Sequence, residues 1–179
     1  MSVIAEQQTQ VKMQIGDKAY SFEEMVELNK GILFKVANTY CKNEADGQDL
    51  LQEIMIQLWR SFERYNNQYK ISTWIYTIAL NVAISFDRKR STQTKYVSQL
   101  SDRAEQIADT EPPDKEQQLL RLEQFISELK ELDKALMLLY LDEKSHKEMA
   151  EILGISESNV ATKIGRIKEK LRNRFLKSN

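Results

Sequence analysis

The sequence predicts an all-α protein built from two small helical domains that are joined by a flexible linker. Apolar residues recur at spacings of three and four through most of the chain, and capping motifs precede several of these stretches. The 179 residues include only five glycines and two prolines, which is too few for a β-rich fold with many tight turns. The length suits one domain or two small ones, and a polar stretch with a pair of prolines near the middle favours two.

Composition excludes several classes of function. Five scattered glycines cannot form a dinucleotide- or phosphate-binding loop, and one His with one Cys cannot form a zinc site of about four ligands. His146 has no evident nucleophile partner and no carboxylate pair stands out, so we expect neither an enzyme nor a cofactor or metal. Cys41 cannot form an intrachain disulfide and fits a reducing compartment. With no apolar run near the ~20 residues of a membrane span and no signal peptide, we expect a cytoplasmic protein.

The N-terminal part begins with a polar stretch, residues 1–20, which lacks a sustained period and predicts a loose arm. Ser21 and Glu24 then form a capping box, which opens a helix to about Cys41. The apolar stripe of this helix consists of Met25, Leu28, Ile32 and Val36, with Leu33 and Ala37 beside it.

A second helix, over about 47–63 with Asp46 as its expected N-cap, has two distinct faces. The apolar face predicts core and consists of Leu51, Ile54, Leu58 and Phe62, flanked by Leu50 and Met55. The other face consists of Asp49, Gln52, Glu53, Ile56, Gln57 and Arg60. A single exposed apolar residue such as Ile56 is ordinary on a protein surface, but on a partner-binding face it would be an anchor.

A polar, aromatic-bearing loop over 64–70 leads to a third helix, from about Ser72 to Arg88. Its expected core stripe is Ile75, Ile78, Ala79, Val82 and Phe86. The opposite face carries hydrogen-bonding groups and ends in cations: Thr73, Thr77, Asn81, Ser85 and Arg88. Residues 66–90 hold four cations against one carboxylate, which is typical of a nucleic-acid-binding surface and also of a solvated helix C-terminus.

Residues 91–115 carry acids, Ser, Thr and Gln, few apolar residues and two consecutive prolines, and they predict the linker. The two domains are therefore expected over 21–90 and 116–179. The second domain contains a dense apolar helix over 132–141. Before it lies a helical stripe of Leu119, Leu122, Ile126 and Leu129.

The C-terminal pattern is typical of a helix-turn-helix. A second capping box, Ser145 with Glu148, opens a short helix that contains the small residue Ala150. Gly154 fits the left-handed residue that ends this helix, and Ser156 fits the N-cap of the next one. That longer helix has an apolar stripe of Val160, Ile164, Ile167 and Leu171.

Residues 144–179 carry nine cations against four carboxylates, an excess that fits DNA binding. In a helix-turn-helix, the N-terminal part of the second helix enters the major groove. We expect base edges to be contacted by Ser158, Thr162 and Arg166, and phosphates by Lys163, Lys168, Lys170 and Arg172.

Several segments resemble the sigma-70 family of bacterial transcription initiation factors. Residues 49–60 read DLLQEIMIQLWR and resemble the polymerase-core-binding motif of region two. Residues 72–85 read STWIYTIALNVAIS and resemble the melting and minus-ten segment that follows it. Residues 132–172 resemble region four, with Lys130 at a position where many members carry proline. The resemblance covers both predicted domains, and the lack of a further domain between them is similar to the small extracytoplasmic-function (ECF) group.

The resemblance implies a role for each face. The polar face of the second helix would bind core RNA polymerase through Asp49, Gln52, Glu53, Ile56, Gln57 and Arg60. The loop and third helix would hold a flipped base and backbone of the minus-ten DNA through Asn66, Asn67, Gln68, Tyr69, Lys70, Asn81, Ser85, Arg88, Lys89 and Arg90. The last helix would bind the minus-thirty-five element through Ser158, Thr162, Lys163, Arg166, Lys168 and Lys170. An anti-sigma factor is implied as a further partner, and no membrane insertion of the chain itself.

We therefore expect an alternative sigma factor, which binds core RNA polymerase and directs promoter recognition, promoter melting and transcription initiation. The residues alone leave two alternatives open. One is a helix-turn-helix regulator that binds operator DNA without polymerase and uses 21–90 for dimerisation or ligand binding. The other is an all-helical adaptor with no DNA role.

Overall fold

The computed structural model describes residues 12–15, 18–97 and 114–176. These residues form a short hairpin followed by seven helices, which confirms the predicted all-α class. The elements are β1 (Met13–Ile15), β2 (Lys18–Tyr20), α1 (Phe22–Tyr40), α2 (Glu44–Phe62), α3 (Ile71–Val97), α4 (Asp114–Ser127), α5 (Glu131–Leu141), α6 (His146–Leu153) and α7 (Glu157–Leu176).

The hairpin is a difference from the predicted loose arm. Strands β1 and β2 pair antiparallel, with Met13 opposite Tyr20 and Ile15 opposite Lys18. Three-residue strands are too short for a period of two to be recognised in the sequence, because alternation is read over at least four residues. The remainder of the predicted arm, 1–11 and 16–17, lies outside the described residues.

The helix starts follow from local capping chemistry. Both predicted capping boxes are confirmed, at Ser21 with Glu24 and at Ser145 with Glu148. Helix α2, however, begins three residues before the predicted position, and its N-cap is Asn43 rather than Asp46. The Asn43 side chain accepts a hydrogen bond from the Asp46 backbone N–H at 2.8 Å, as an N-cap residue does. Asn43 and Asp46 are both residue types that cap helices, and the helix begins after the first of them.

Helix α3 continues to Val97, nine residues beyond the predicted end at Arg88. The apolar period stops near Arg88, but neither glycine nor proline follows before Val97, so nothing in the backbone ends the helix there. The predicted linker over 91–115 is therefore helical at both of its ends. Its middle, 98–113, lies outside the described residues.

We refer to helices α1–α3 as the N-terminal module and to helices α4–α7 as the C-terminal module, and the buried residues of both belong to one hydrophobic cluster. In the N-terminal module the three helices pack on one another, and α2 contributes the fully buried Leu50, Ile54, Leu58 and Phe62. Leu50 is thus more deeply buried than Leu51, although Leu51 was expected on the core face and Leu50 at its flank. Leu28 of α1 is 70% exposed, so its assignment to the core stripe was wrong. Cys41, which follows α1 directly, is buried and forms no disulfide.

In the C-terminal module, α5 and α6 both pack on α7. The predicted stripe of α7 is buried at Val160, Ile164 and Ile167 and half-buried at Leu171. The stripe predicted for α4 is less deeply buried, since Leu119 is exposed and, among the described side chains of that helix, Phe125 is the buried one.

The two modules pack against each other. Helix α5 contacts α1 and α3, and α6 lies along α3. Helix α3 therefore carries a second buried stripe, Tyr76, Leu80, Ala83 and Asp87, at spacings of four, three and four. The sequence did not predict this stripe, because it assigned α3 one apolar face whereas α3 has neighbours on two sides.

Candidate functional site

The outer face of α2 has the predicted mixture of charge and exposed apolar surface. Asp49, Gln52, Ile56 and Arg60 are exposed, while Glu53 and Gln57 are half-exposed. Ile56 retains 48% of its surface although it lies among polar neighbours. Beside it Trp59 is 55% exposed and forms a T-shaped contact with Phe22, with the ring centroids 5.0 Å apart. The sequence analysis missed Trp59, although its position three residues after Ile56 was the available signal.

A groove of about 490 Å³ runs between this face and residues 86–90 of α3. It is lined by Asp46, Asp49, Gln52, Glu53, Ile56, Phe86, Lys89 and Arg90. Lys89 Nζ lies 4.0 Å from a carboxylate oxygen of Glu53 at its rim. The groove therefore offers charges of both signs next to an exposed aliphatic side chain, a combination suited to a protein partner.

The loop between α2 and α3 is held in shape by its aromatic residues. The Tyr65 hydroxyl donates a hydrogen bond to the Tyr69 carbonyl at 2.7 Å. The Tyr65 ring forms a T-shaped contact with Trp74, with the ring centroids 5.3 Å apart. Asn67 adopts a left-handed backbone with φ of 59°. All five predicted loop residues, Asn66, Asn67, Gln68, Tyr69 and Lys70, are exposed, so the Tyr69 ring is accessible for stacking on a base.

The outer face of α3 continues this surface. Asn81 and Ser85 are exposed, and the Ser85 hydroxyl donates to the Asn81 carbonyl at 2.9 Å. Arg88 and Lys89 are exposed as well. Arg90 is placed differently, since its guanidinium donates to Asp46 and Asp87 at 3.1 Å each and to the Tyr40 carbonyl at 3.0 Å.

The turn between α6 and α7 has the geometry of a helix-turn-helix. Gly154 ends α6 with φ of 65° and ψ of 33°, and the Ile155 backbone N–H donates to the Ala150 carbonyl at 3.2 Å. The Ser156 hydroxyl accepts from the Asn159 backbone N–H at 3.2 Å and caps α7. Five of the predicted DNA-binding residues lie on the outward face of α7 and are exposed: Ser158, Thr162, Arg166, Lys168 and Lys170.

Two lysines of α7 are positioned by α5. Lys163, which is half-buried, has its Nζ 3.7 Å from a carboxylate oxygen of Asp133. Lys168 Nζ lies 4.1 Å from the centre of the Tyr140 ring, a cation–π distance. The sequence analysis named neither Asp133 nor Tyr140, because contacts between separate helices leave no mark on the spacing within either one.

Within residues 12–15, 18–97 and 114–176, no group of three or more His, Cys, Asp or Glu side chains is arranged to hold a metal ion. None of the helices in the same ranges has the length and apolar character needed to cross a bilayer.

Comparisons with known proteins match both modules. The model of Sigma-70 region 2 matches residues 25–93, and that of Sigma-70, region 4 matches residues 119–171. The ECF RNA polymerase sigma factor SigW of Bacillus subtilis (strain 168) is 29% identical over 166 residues, which cover 87% of this chain and 89% of the relative. RNA polymerase sigma factor YlaC of the same organism is 30% identical over 138 residues, which cover 73% of this chain and 78% of the relative.

Solved structures with a similar fold include two protein complexes. The sigma factor RpoE of Bartonella quintana, in complex with the anti-sigma factor NepR, superposes with a TM-score of 0.66 at 18% identity, over 85% of this chain and 94% of that one. CnrH, in complex with the cytosolic domain of CnrY, gives a TM-score of 0.62 at 19% identity, over 88% of both chains.

Proposed function

This chain belongs to the ECF group of the sigma-70 family, and from that premise we propose that it is an alternative sigma factor. It binds core RNA polymerase, brings it to specific promoters, and takes part in promoter melting and transcription initiation. The observation that carries the proposal is the presence, in one chain and in the family's order, of an α2 face suited to a protein partner and a capped helix-turn-helix with an exposed cationic helix.

The α2 face is the polymerase-binding surface of the proposal. Ile56 and Trp59 supply exposed apolar area, and the surrounding charges of Asp49, Glu53 and Arg60 supply orientation. Aromatic and aliphatic anchors inside a polar rim are the usual energetic centre of a protein–protein interface. The face therefore supports tight docking on a partner with a complementary apolar strip.

The loop and the outer face of α3 bind minus-ten DNA. Extruding a base from the duplex costs a few kcal/mol, which stacking on an aromatic ring and hydrogen bonds to the base edge can recover. Tyr69 offers an exposed ring, and Asn66 and Asn81 offer amide groups. Arg88 and Lys89 extend the surface with cations for the backbone of the flanking duplex.

Helix α7 binds the minus-thirty-five element in the major groove. Ser158, Thr162 and Arg166 follow one another at four-residue spacing on its exposed face, as a base-reading row requires. Lys163, Lys168 and Lys170 meet phosphates, and the contacts of the first two with α5 hold them in place before DNA arrives.

The proposal also includes an anti-sigma factor and excludes catalysis by the chain itself. One of the similar solved structures is a complex with the anti-sigma factor NepR, and another is a complex with the cytosolic domain of CnrY. A protein that works on core RNA polymerase acts in the cytoplasm, and its contribution to initiation is recognition and binding energy, with no covalent step of its own.

The test is run-off transcription from a pool of genomic promoter fragments, with purified core RNA polymerase and the purified chain. We expect a defined subset of promoters to yield RNA only when the chain is added. If the chain retards duplex DNA equally well without polymerase and changes no transcript, the proposal is wrong.

Ile56→Asp tests the polymerase-binding face. A carboxylate in the centre of the docked face would be desolvated without a partner, so we expect binding to core polymerase to fall by at least about tenfold. The matched control is Leu28→Asp, which makes the same change at an exposed leucine of α1 and is expected to bind normally. Co-elution with core polymerase measures both variants, and circular dichroism checks their helix content. Normal co-elution of the Ile56 variant would reject this face.

A further inference from the structure

The outer face of α1 carries two large apolar side chains that remain in contact with solvent. Leu28 is 70% exposed and Phe34 is 52% exposed. They lie three residues before and three residues after Gly31, so at 3.6 residues per turn they fall about 60° to either side of it around the helix. Two exposed apolar groups that flank one position favour a surface that another molecule covers.

Gly31, at the centre of this face, has no role in the described part of the chain that requires glycine. Its φ is not positive, and a Cβ added to it would meet no described atom within 4 Å. Glycine inside a helix is less stable than alanine, because it loses more backbone freedom on folding. A glycine on an exposed face does allow the backbone of a second helix to approach closely.

The N-terminal half of this face is acidic. A groove of about 480 Å³ lies there beside Leu28 and Tyr20, and its remaining lining consists of the exposed glutamates Glu23, Glu24 and Glu27. Lys30 contacts the Glu27 carboxylate and offsets part of this charge. Three carboxylates against one ammonium leave this half of the face net negative.

The C-terminal half of the face carries two lysines instead. Lys35 and Lys42 line a second groove, of about 670 Å³, together with Asn38. Lys35 also contacts Asp142, and Glu123 of α4 lies on the far side of the groove. The Lys35 side chain is nevertheless 52% exposed, so its ammonium can contact a further carboxylate.

Such a face is complementary to a second copy of itself in antiparallel orientation. A twofold axis beside Gly31 brings residues that lie equally far before and after Gly31 to the same level along the two helices. Glu27 then lies level with the partner's Lys35. The close approach at Gly31 is enclosed by Leu28 and Phe34 of both copies.

Charge distinguishes this orientation from the parallel one. In a parallel pair the acidic half would face the acidic half, and like charges in contact disfavour association. In the antiparallel pair each acidic half faces the half that carries Lys35 and Lys42. The arrangement of charge therefore selects the antiparallel pair.

We propose that the outer face of α1 pairs antiparallel with the same face of a second copy of this chain. One helix from each chain makes a contact at the small end of specific interfaces, so the dimer is weak, with a dissociation constant of about 10–100 µM. The contact uses none of the residues assigned above to polymerase or to DNA. It goes beyond the proposed function and does not depend on it.

Sedimentation equilibrium of the free full-length chain, from about 5 µM to about 1 mM, tests for the dimer. We expect the apparent mass to rise with concentration from 21.0 kDa toward twice that value. Leu28→Asp places two carboxylates beside the crossing point, and we expect the dissociation constant to rise by about tenfold or more.

Leu176→Asp is the matched control, because it makes the same change at a leucine of α7 that is 68% exposed and lies outside this face. Circular dichroism verifies that both variants keep their helix content. A wild-type mass that stays constant over the whole range would overturn the proposal. So would a Leu28 variant that dimerises as tightly as the wild type.

Disulfide cross-linking tests the orientation of the pair. In a Cys41→Ala background, Gly31→Cys places two thiols next to each other across the twofold axis, so we expect oxidised glutathione to link the chains rapidly. Asn38→Cys is the control on the same face, since its two copies would lie about 21 Å apart along the antiparallel pair, beyond the reach of a disulfide. Non-reducing electrophoresis measures the rate for each. The proposal is wrong if the Gly31 variant links no faster than the Asn38 variant.

Both tests use the chain without polymerase or DNA. A failure of the dimer therefore leaves the sigma-factor function standing, and a failure of run-off transcription leaves the dimer standing.

Discussion

Arg166 lies on the exposed face of α7 one turn after Thr162, where a side chain in the major groove can bind a guanine edge with two hydrogen bonds. We expect Arg166→Ala to lose about 1–3 kcal/mol of discrimination between a cognate and a mismatched minus-thirty-five element. Lys170→Ala is the control, because a phosphate contact should weaken binding to both sequences equally. Holoenzyme binding to the two duplexes measures the difference. Equal losses on both duplexes for Arg166→Ala would make it a phosphate contact only.

The exposure of the candidate-site residues could be predicted from the sequence where it depends on a single helix. It was harder to predict where two helices meet. The α2 face and the α7 row follow from helical spacing alone, and the structure leaves nearly all of their side chains exposed. Arg90 carries the same charge as Arg88, yet it turns inward because Asp46 and Asp87 lie on its side of α3. Within α3 only Asp87, three residues before Arg90, distinguishes the two arginines, and Asp46 comes from another helix that the spacing within α3 does not reveal.

At the level of elements, the turn between α6 and α7 depends on the backbone of Gly154. An Ala at φ of 65° brings its Cβ close to the next carbonyl, so we expect Gly154→Ala to lower the free energy of unfolding by about 1–2 kcal/mol. Gly31→Ala is the counterpart at a mid-helix position of α1 where a Cβ has free space. There the same change should raise the free energy of unfolding by about 0.5–1 kcal/mol. Urea denaturation measures both, and a neutral Gly154 variant would contradict this account of the turn.

Helix starts were more predictable than helix ends. Serine followed three residues later by glutamate identified α1 and α6, because capping is decided by local side-chain chemistry. The end of α3 was not predicted. The apolar period stops where the helix no longer packs against its neighbours, whereas the helix itself continues until a residue breaks it. Lys130 precedes α5 with φ of −67°, the angle to which a proline ring is restricted, so lysine occupies this position without strain.

For the whole molecule, charge balance predicts dependence on a partner. The net charge is −1, so acidic stretches offset the cations that would otherwise give non-specific affinity for DNA. We expect the free chain to bind promoter DNA only weakly, and to bind tightly once polymerase holds both modules at promoter spacing, an effective-concentration effect. A salt titration of promoter binding, with and without core polymerase, measures this. Nanomolar binding by the free chain would refute it.

The packed modules also predict a dependence on acid. Burial raises the pKa of Asp142, but the hydrogen bonds from Lys35 and Tyr76 and the nearby charge of Lys144 outweigh burial, so the pKa lies below its ordinary value. A carboxyl with a lowered pKa in the folded state contributes stability that is complete above about pH 5 and declines as the pH falls below about 4.

We expect this acid-dependent loss of stability to be smaller in Asp142→Asn. Urea denaturation between about pH 3 and pH 6 gives the slope of the free energy of unfolding for both proteins. The interpretation fails if wild type and variant lose stability in parallel.

Cys41 is the one cysteine of this chain, and its burial at the end of α1 has a consequence for its reactivity. Burial raises the pKa of its thiol, so little thiolate is present at neutral pH. Oxidants attack the thiolate in preference to the thiol, and they react most readily where it is accessible to solvent. Peroxides and disulfides are therefore expected to react slowly with Cys41.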